Sequence, residues 1–147
     1  MQKAILTSAI ILFVVIGCTK KEAPQDSATV SEAGGANSLG IGPIKSLTLE
    51  AELQPDLVKK GADIFTAKCA ACHRVDEKYV GPSLKGVTER RTPEWIMNMI
   101  LNPAEMLEKD PTAREMLAEF MVPMTFQNVS EEEARAILEY FRSNDKK

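Results

Sequence analysis

The chain has 147 residues, the length of one small domain with short appendages. Its 18 basic and 21 acidic residues give a net charge of −3 with no basic block, which excludes nucleic-acid binding through a phosphate-tracking surface. Three cysteines and one histidine limit the metal and thiol chemistry open to it.

Met1-Gln2-Lys3 carries one positive side chain, and an uncharged apolar stretch from Ala4 to Gly17 follows before Cys18. That stretch is shorter than the ~20 residues a bilayer-crossing helix needs, so residues 1–17 read as an export leader. Val15-Ile16-Gly17-Cys18 resembles a bacterial lipoprotein box, departing from it at Ile16, where a smaller residue is commoner. The resemblance implies that Cys18 becomes the lipidated first residue, a membrane anchor facing the periplasm. Ordinary secretory cleavage with a spare thiol is the alternative. Residues 18–38 mix Lys, Glu, Pro, Ser and Gly without a hydrophobic period and read as a flexible tether. Residues 39–52 include Ile41, Ile44, Leu47 and Leu49, too apolar for a free linker, and are expected to lie extended on the domain formed by residues 53–147.

The first helix opens at Pro55, where a missing N–H costs nothing, and runs to about Lys68 with Leu57, Gly61, Ile64 and Phe65 on one side. A mid-helix glycine costs about 1 kcal/mol against alanine, so Gly61 marks close approach by another element. Next comes Cys69-Ala70-Ala71-Cys72-His73, the attachment pattern for a c-type haem. Two thiols spaced in this way add across the haem vinyls as thioethers, and the adjacent imidazole ligates the iron. With Cys18 assigned to the lipid, zinc lacks a fourth Cys or His ligand, and no strand–helix alternation supports a thioredoxin-like CxxC. His73 is the sole histidine, so two-imidazole ligation within the chain is excluded.

Thr92-Pro93-Glu94 opens a second helix bearing Trp95, Ile96, Met99 and Ile100, which Asn102-Pro103 stops. A short turn of helix is expected over Ala104–Glu108, and Asp110-Pro111 opens another with Ala113, Met116, Leu117 and Phe120 at helical spacing. Ser130 with Glu133 is a capping box before the last helix, whose stripe is Ala134, Ile137, Leu138 and Phe141. The chain therefore reads as all-α. Met97, Met99, Met106 and Met116 fall in helices, where methionine usually fills core gaps. Met121 and Met124 flank Val122-Pro123 in the non-helical stretch and are the candidates for a sulfur ligand.

From about Leu53 to Arg142 the sequence resembles a class I cytochrome c. Gly61 and Phe65 match the Gly-x-x-x-Phe of that family's N-terminal helix, with Ile137 and Tyr140 on the partner helix. Gly81-Pro82-Ser83-Leu84 matches its Gly-Pro-x-Leu, which implies that the Pro82 carbonyl accepts a hydrogen bond from His73. The match places Arg90 at the propionate-binding arginine, with Arg91 and Trp95 as neighbouring candidates. It favours Met124, six residues before Ser130, as the sixth ligand. Residues 103–120 stand as an insertion against the family pattern.

What the resemblance implies is one covalent haem c with His73 and Met124 on the iron, in a one-electron carrier rather than an enzyme. Its redox partners would be a quinol-oxidising complex as donor and a terminal oxidase or reductase as acceptor. Ile41 to Met124 is also similar to small lipoprotein cytochromes, some encoded near nitrous oxide reductase, which makes that enzyme a candidate acceptor. The rival reading is a haem-based gas sensor or binding protein with an open sixth position. A peroxidase-like haem ranks below it, since no distal histidine is available.

Overall fold

The computed structural model describes Gly35 and residues 37–146; the leader, Cys18 and most of the tether expected over residues 18–38 lie outside the described residues. Among the described residues there are helices and no strand: α1 (Pro55–Lys68), α2 (Val87–Arg90), α3 (Pro93–Leu101), α4 (Pro103–Lys109), α5 (Pro111–Phe120) and α6 (Glu131–Asp145). Four of them open on proline, the residue whose fixed φ and missing N–H suit a first turn. Thr92 caps α3 by accepting the Trp95 N–H at 3.1 Å, and Asp110 caps α5 by accepting the Ala113 N–H at 2.9 Å. Ser130 and Glu133 bond reciprocally at the start of α6.

Two elements differ from the sequence expectation. The helix after Asn102 includes Pro103 and reaches Lys109. α2 has only four residues, too few to show a period, and exists because the far end of α6 grips it. There the Asp145 carboxylate accepts from the Gly86 N–H at 2.6 Å, the Thr88 N–H at 2.9 Å and the Thr88 hydroxyl at 2.6 Å.

α1 and α6 cross at Gly61. A Cβ there would overlap the Ala136 carbonyl oxygen and come within 2.9 Å of the Tyr140 Cβ, so only glycine permits the approach. One turn on, Phe65 meets Tyr140 with ring centroids 5.4 Å apart and Phe141 edge-on at 5.8 Å. These rings and the fully buried Ile137 and Leu138 form the centre of the core.

Residues 39–52 lie against the helices, pinned largely by side chains. Asn98, fully buried in α3, donates to the carbonyls of Leu39 and Ile44 at 2.8 and 2.9 Å and accepts the Ile44 N–H at 2.9 Å. Glu94 accepts from the Leu47 N–H at 2.9 Å, and Arg142 donates to the Glu50 carbonyl at 2.8 Å. Where this segment enters α1, the Gln54 N–H donates at 3.0 Å to Glu139. Glu139 is 0% exposed and also receives Arg135 at 2.6 Å and Arg142 at 2.9 Å.

Burial alone would raise the pKa of Glu139, but the hydrogen bonds from Arg135, the Gln54 N–H and Arg142 hold it below the ordinary carboxylate value. A depressed folded-state pKa means the carboxylate's stabilisation is present above its unfolded pKa and disappears as pH falls through the folded one. Glu139→Gln should therefore lower stability at neutral pH by about 1–3 kcal/mol, because two guanidiniums lose their counter-charge. The gap to wild type should narrow on acidification below pH ~4. Denaturant melts of both proteins across pH 3–7 measure this.

Candidate cofactor site

The last turn of α1 runs straight into the CxxCH sequence. Cys69 closes the helix through its N–H to the Phe65 carbonyl, and the N–H groups of Cys72 and His73 both return to the Cys69 carbonyl, at 3.1 and 3.0 Å. This tight turn presents two thiols and an imidazole from within five residues. The Cys69 thiol is half-buried and its pKa is raised by that burial, with Lys68 pulling weakly the other way; Cys72 is exposed.

His73 packs against Gly81. A Cβ at that position would lie 2.5 Å from the His73 Cε1 and 2.8 Å from Nδ1, so glycine is what leaves room for the ring. The Gly81 N–H donates to the Cys72 carbonyl at 2.9 Å, which ties the loop to the haem-motif turn. Nδ1 of His73 lies 3.5 Å from the Pro82 carbonyl oxygen, which can only accept, so Nδ1 carries the proton and Nε2 keeps its lone pair. Burial lowers the pKa of His73, partly offset by the Pro82 carbonyl, and so favours the neutral ring that a metal requires.

Cys69, Cys72 and His73 line a cavity of about 530 Å³. Pro82, Arg90, Arg91, Trp95 and Met124 line the same cavity. Within it Met124 is half-buried, whereas Met121 sits at the left-handed end of α5, 81% exposed and away from the lining. Met97 and Met106 are buried elsewhere in the core, while Met99 and Met116 reach the cavity from α3 and α5. α5 thus supplies a cavity wall, a role its helical pattern alone did not disclose.

Arg90 donates to the carbonyls of Lys85 and Ser83, and Arg91 places its guanidinium 5.3 Å from the centre of the Trp95 ring. Trp95 lines the cavity with its ring, and its one donor, Nε1–H, goes to Asp110 at 3.2 Å. Asp110 was visible in the sequence only as a helix cap; its spacing to Trp95 carries no signal.

Two lysines hold the ends of the Met124 loop. Lys78 pairs with Glu119 at 2.8 Å and lies 4.1 Å from the centre of the Phe120 ring, at the end of α5. Lys68 donates to the Asn128 carbonyl at 3.0 Å and pairs with Glu133 at 3.0 Å.

The cavity has the size of a cofactor site, with apolar walls, two thiols and one imidazole from a single turn, and a thioether from a loop. That donor set fits a covalently bound haem, and the fold is that of a helical haem-c domain. The cytochrome c family model matches residues 58–145, and the chain belongs to that family. It is 32% identical over 102 residues to a cytochrome c-551 of Stutzerimonas stutzeri, covering 69% of this chain and 92% of that protein. It is 37% identical over 60 residues to a cytochrome c-553-like protein of Synechocystis, spanning 39% of this chain and only 57% of the relative's length. A solved cytochrome c from Rhodothermus marinus superposes with a TM-score of 0.70 at 42% identity, covering 71% of this chain and 90% of that one. The fold is that of a class I cytochrome c, whose family carries one covalent haem c and is a family of electron carriers.

Gly81→Val should displace the His73 ring, because the added Cβ would lie 2.5 Å from the ring's Cε1. The expected outcome is a purified protein with a raised high-spin fraction in its ferric spectrum and a lower folding midpoint. A spectrum identical to wild type would show that the loop can retreat without moving the ring.

Proposed function

We propose that this cytochrome c is a one-electron carrier whose haem iron is ligated by His73 and Met124. A lipid on Cys18 would anchor it to a bacterial membrane, facing the periplasm. There it takes electrons from a quinol-oxidising complex and passes them to a terminal oxidase or reductase, with nitrous oxide reductase among the candidates. The bound haem supplies a single one-electron couple, and ligation on both faces leaves no position for a substrate.

The observation that carries the ligand assignment is the contrast between the two loop methionines. Met124 lines the cavity and Met121 projects into solvent. The Lys68 and Lys78 contacts hold both ends of the loop, so the thioether is positioned before the iron changes oxidation state. A ligand set that stays fixed on electron transfer keeps reorganisation small. Val80 and Val122 are exposed apolar groups of the cavity lining, suited to the small, transient interfaces of redox encounters. The anchor rests on the apolar run ending at Gly17-Cys18, and a diacylglyceryl group meets the requirement of at least two chains for stable attachment.

Met124→Ala should abolish the weak far-red band of the ferric protein, admit carbon monoxide to the ferrous iron and lower the midpoint potential. Met121→Ala should leave all three unchanged. Loss of the band in Met99→Ala or Met116→Ala, with Met124→Ala unaffected, would move the ligand to a helix; a band absent already in wild type would favour the gas-binding reading.

Membrane fractionation of the expressed full chain, followed by mass analysis of its mature N-terminus, tests the anchor. A lipidated Cys18 is expected; a soluble, unmodified chain beginning elsewhere would overturn it.

A further inference from the structure

Asp110 is the buried ionisable group closest in connection to the cofactor cavity that electron carriage does not already use. It is 1% exposed, and no ion pair among the described residues involves it. The contacts around its carboxylate are donors. The Ala113 N–H reaches Oδ1 at 2.9 Å, the Trp95 Nε1–H reaches the same oxygen at 3.2 Å, and the Ser38 hydroxyl lies 3.5 Å from Oδ2. Asp110 stands at the N-terminus of the ten-residue α5, where the helix dipole attracts negative charge.

A helix cap could have been met by Ser, Thr or Asn with no buried charge. The second contact sets this residue apart, because the ring it holds is a wall of the cofactor cavity. The indole N–H goes to the carboxylate while the ring lines the cavity, so one hydrogen bond joins Asp110 to the wall of the haem site. A buried charge is screened far less than one in water, so it acts over a longer range.

We propose that Asp110 is a positioning and tuning residue for the haem: it fixes the Trp95 ring, and its buried negative charge, joined to that ring by a hydrogen bond, favours ferric over ferrous iron. This inference rests on the one-electron reading above. It requires only that the cavity hold haem, whichever group is the sixth ligand.

The test compares wild-type holoprotein with Asp110→Asn and Asp110→Ser. Both replacements are good N-caps, and Asn also retains an oxygen for the indole N–H, so the common change is loss of charge. Redox titration should show Asp110→Asn shifted upward, with the ferrous-to-ferric ratio at a fixed ambient potential raised about three- to tenfold, the upper end being about 59 mV for one electron. Asp110→Ser should shift in the same direction. The far-red ferric band should be the same as in wild type for both, and folding midpoints should change little for Asn.

Unchanged potentials in both variants would overturn the proposal and leave Asp110 as a cap alone; failure of both to fold would overturn it by making the carboxylate a requirement of the fold. A shift only in Asp110→Ser, where the indole loses its longer-reaching acceptor, would assign the effect to ring position and overturn the charge. Failure of Met124 ligation would appear in the wild-type spectrum, and is therefore distinguishable from failure here.

Discussion

The approach of Gly61 to the Ala136 carbonyl is the constraint on which the rest of the domain depends. It brings α1 and α6 together at backbone distance, and everything about two turns along either helix inherits that geometry. On α1 those two turns lead through Phe65 to Cys69, so the crossing sets where the thiols emerge. On α6 they take in Ile137 and Phe141, which line the cavity together with Phe65. The thioether attachment points and part of the cavity floor are therefore placed by one contact. A small domain gains from this economy, because its own core is marginal and a large apolar cofactor must complete it.

A second layer surrounds that pair. Residues 39–52, α3, α4 and α5 are bound to one another through buried polar side chains as well as through the apolar core they share. Asn98 satisfies three backbone groups of the extended segment, and Met106 offers its sulfur to the Ile41 N–H. Asp110 joins Ser38, Trp95 and the start of α5. Buried polar groups of this kind tolerate little displacement, since any donor left unpaired costs about 1–3 kcal/mol. They specify register where hydrophobic packing alone would allow sliding. By contrast, the Lys78–Glu119 pair is largely exposed and contributes at most about 1 kcal/mol. Its effect is on where the loop lies more than on how stable the fold is.

The site itself is built so that the ring of His73 has one orientation. Gly81 leaves room for it, the Pro82 carbonyl holds Nδ1–H, and burial keeps the imidazole neutral. Hydrogen bonding at Nδ1 raises the basicity of Nε2, the nitrogen left for a metal. The electrostatics around the cavity are divided. Arg90 and Arg91 bring positive charge to its wall, and a buried carboxylate is hydrogen-bonded to Trp95.

The sequence by itself determined the chemistry and the helical class. Cys69, Cys72 and His73 are adjacent in the chain, so their joint function needs no fold to be seen. Proline starts, hydroxyl caps and the Ser130–Glu133 box are likewise local and mark helix ends wherever the chain goes. Gly61 announced a close approach but not that the atom it meets is the Ala136 carbonyl oxygen. Only the tertiary structure decided which methionines reach the cavity, because Met99 and Met116 follow the same helical period as the core. It alone showed α2, whose four residues are held by Asp145 from the far end of the chain. It alone showed the Trp95 N–H on Asp110, since fifteen residues and two helix boundaries separate the pair. Contacts of that range depend on how elements pack, and a local pattern carries no record of them.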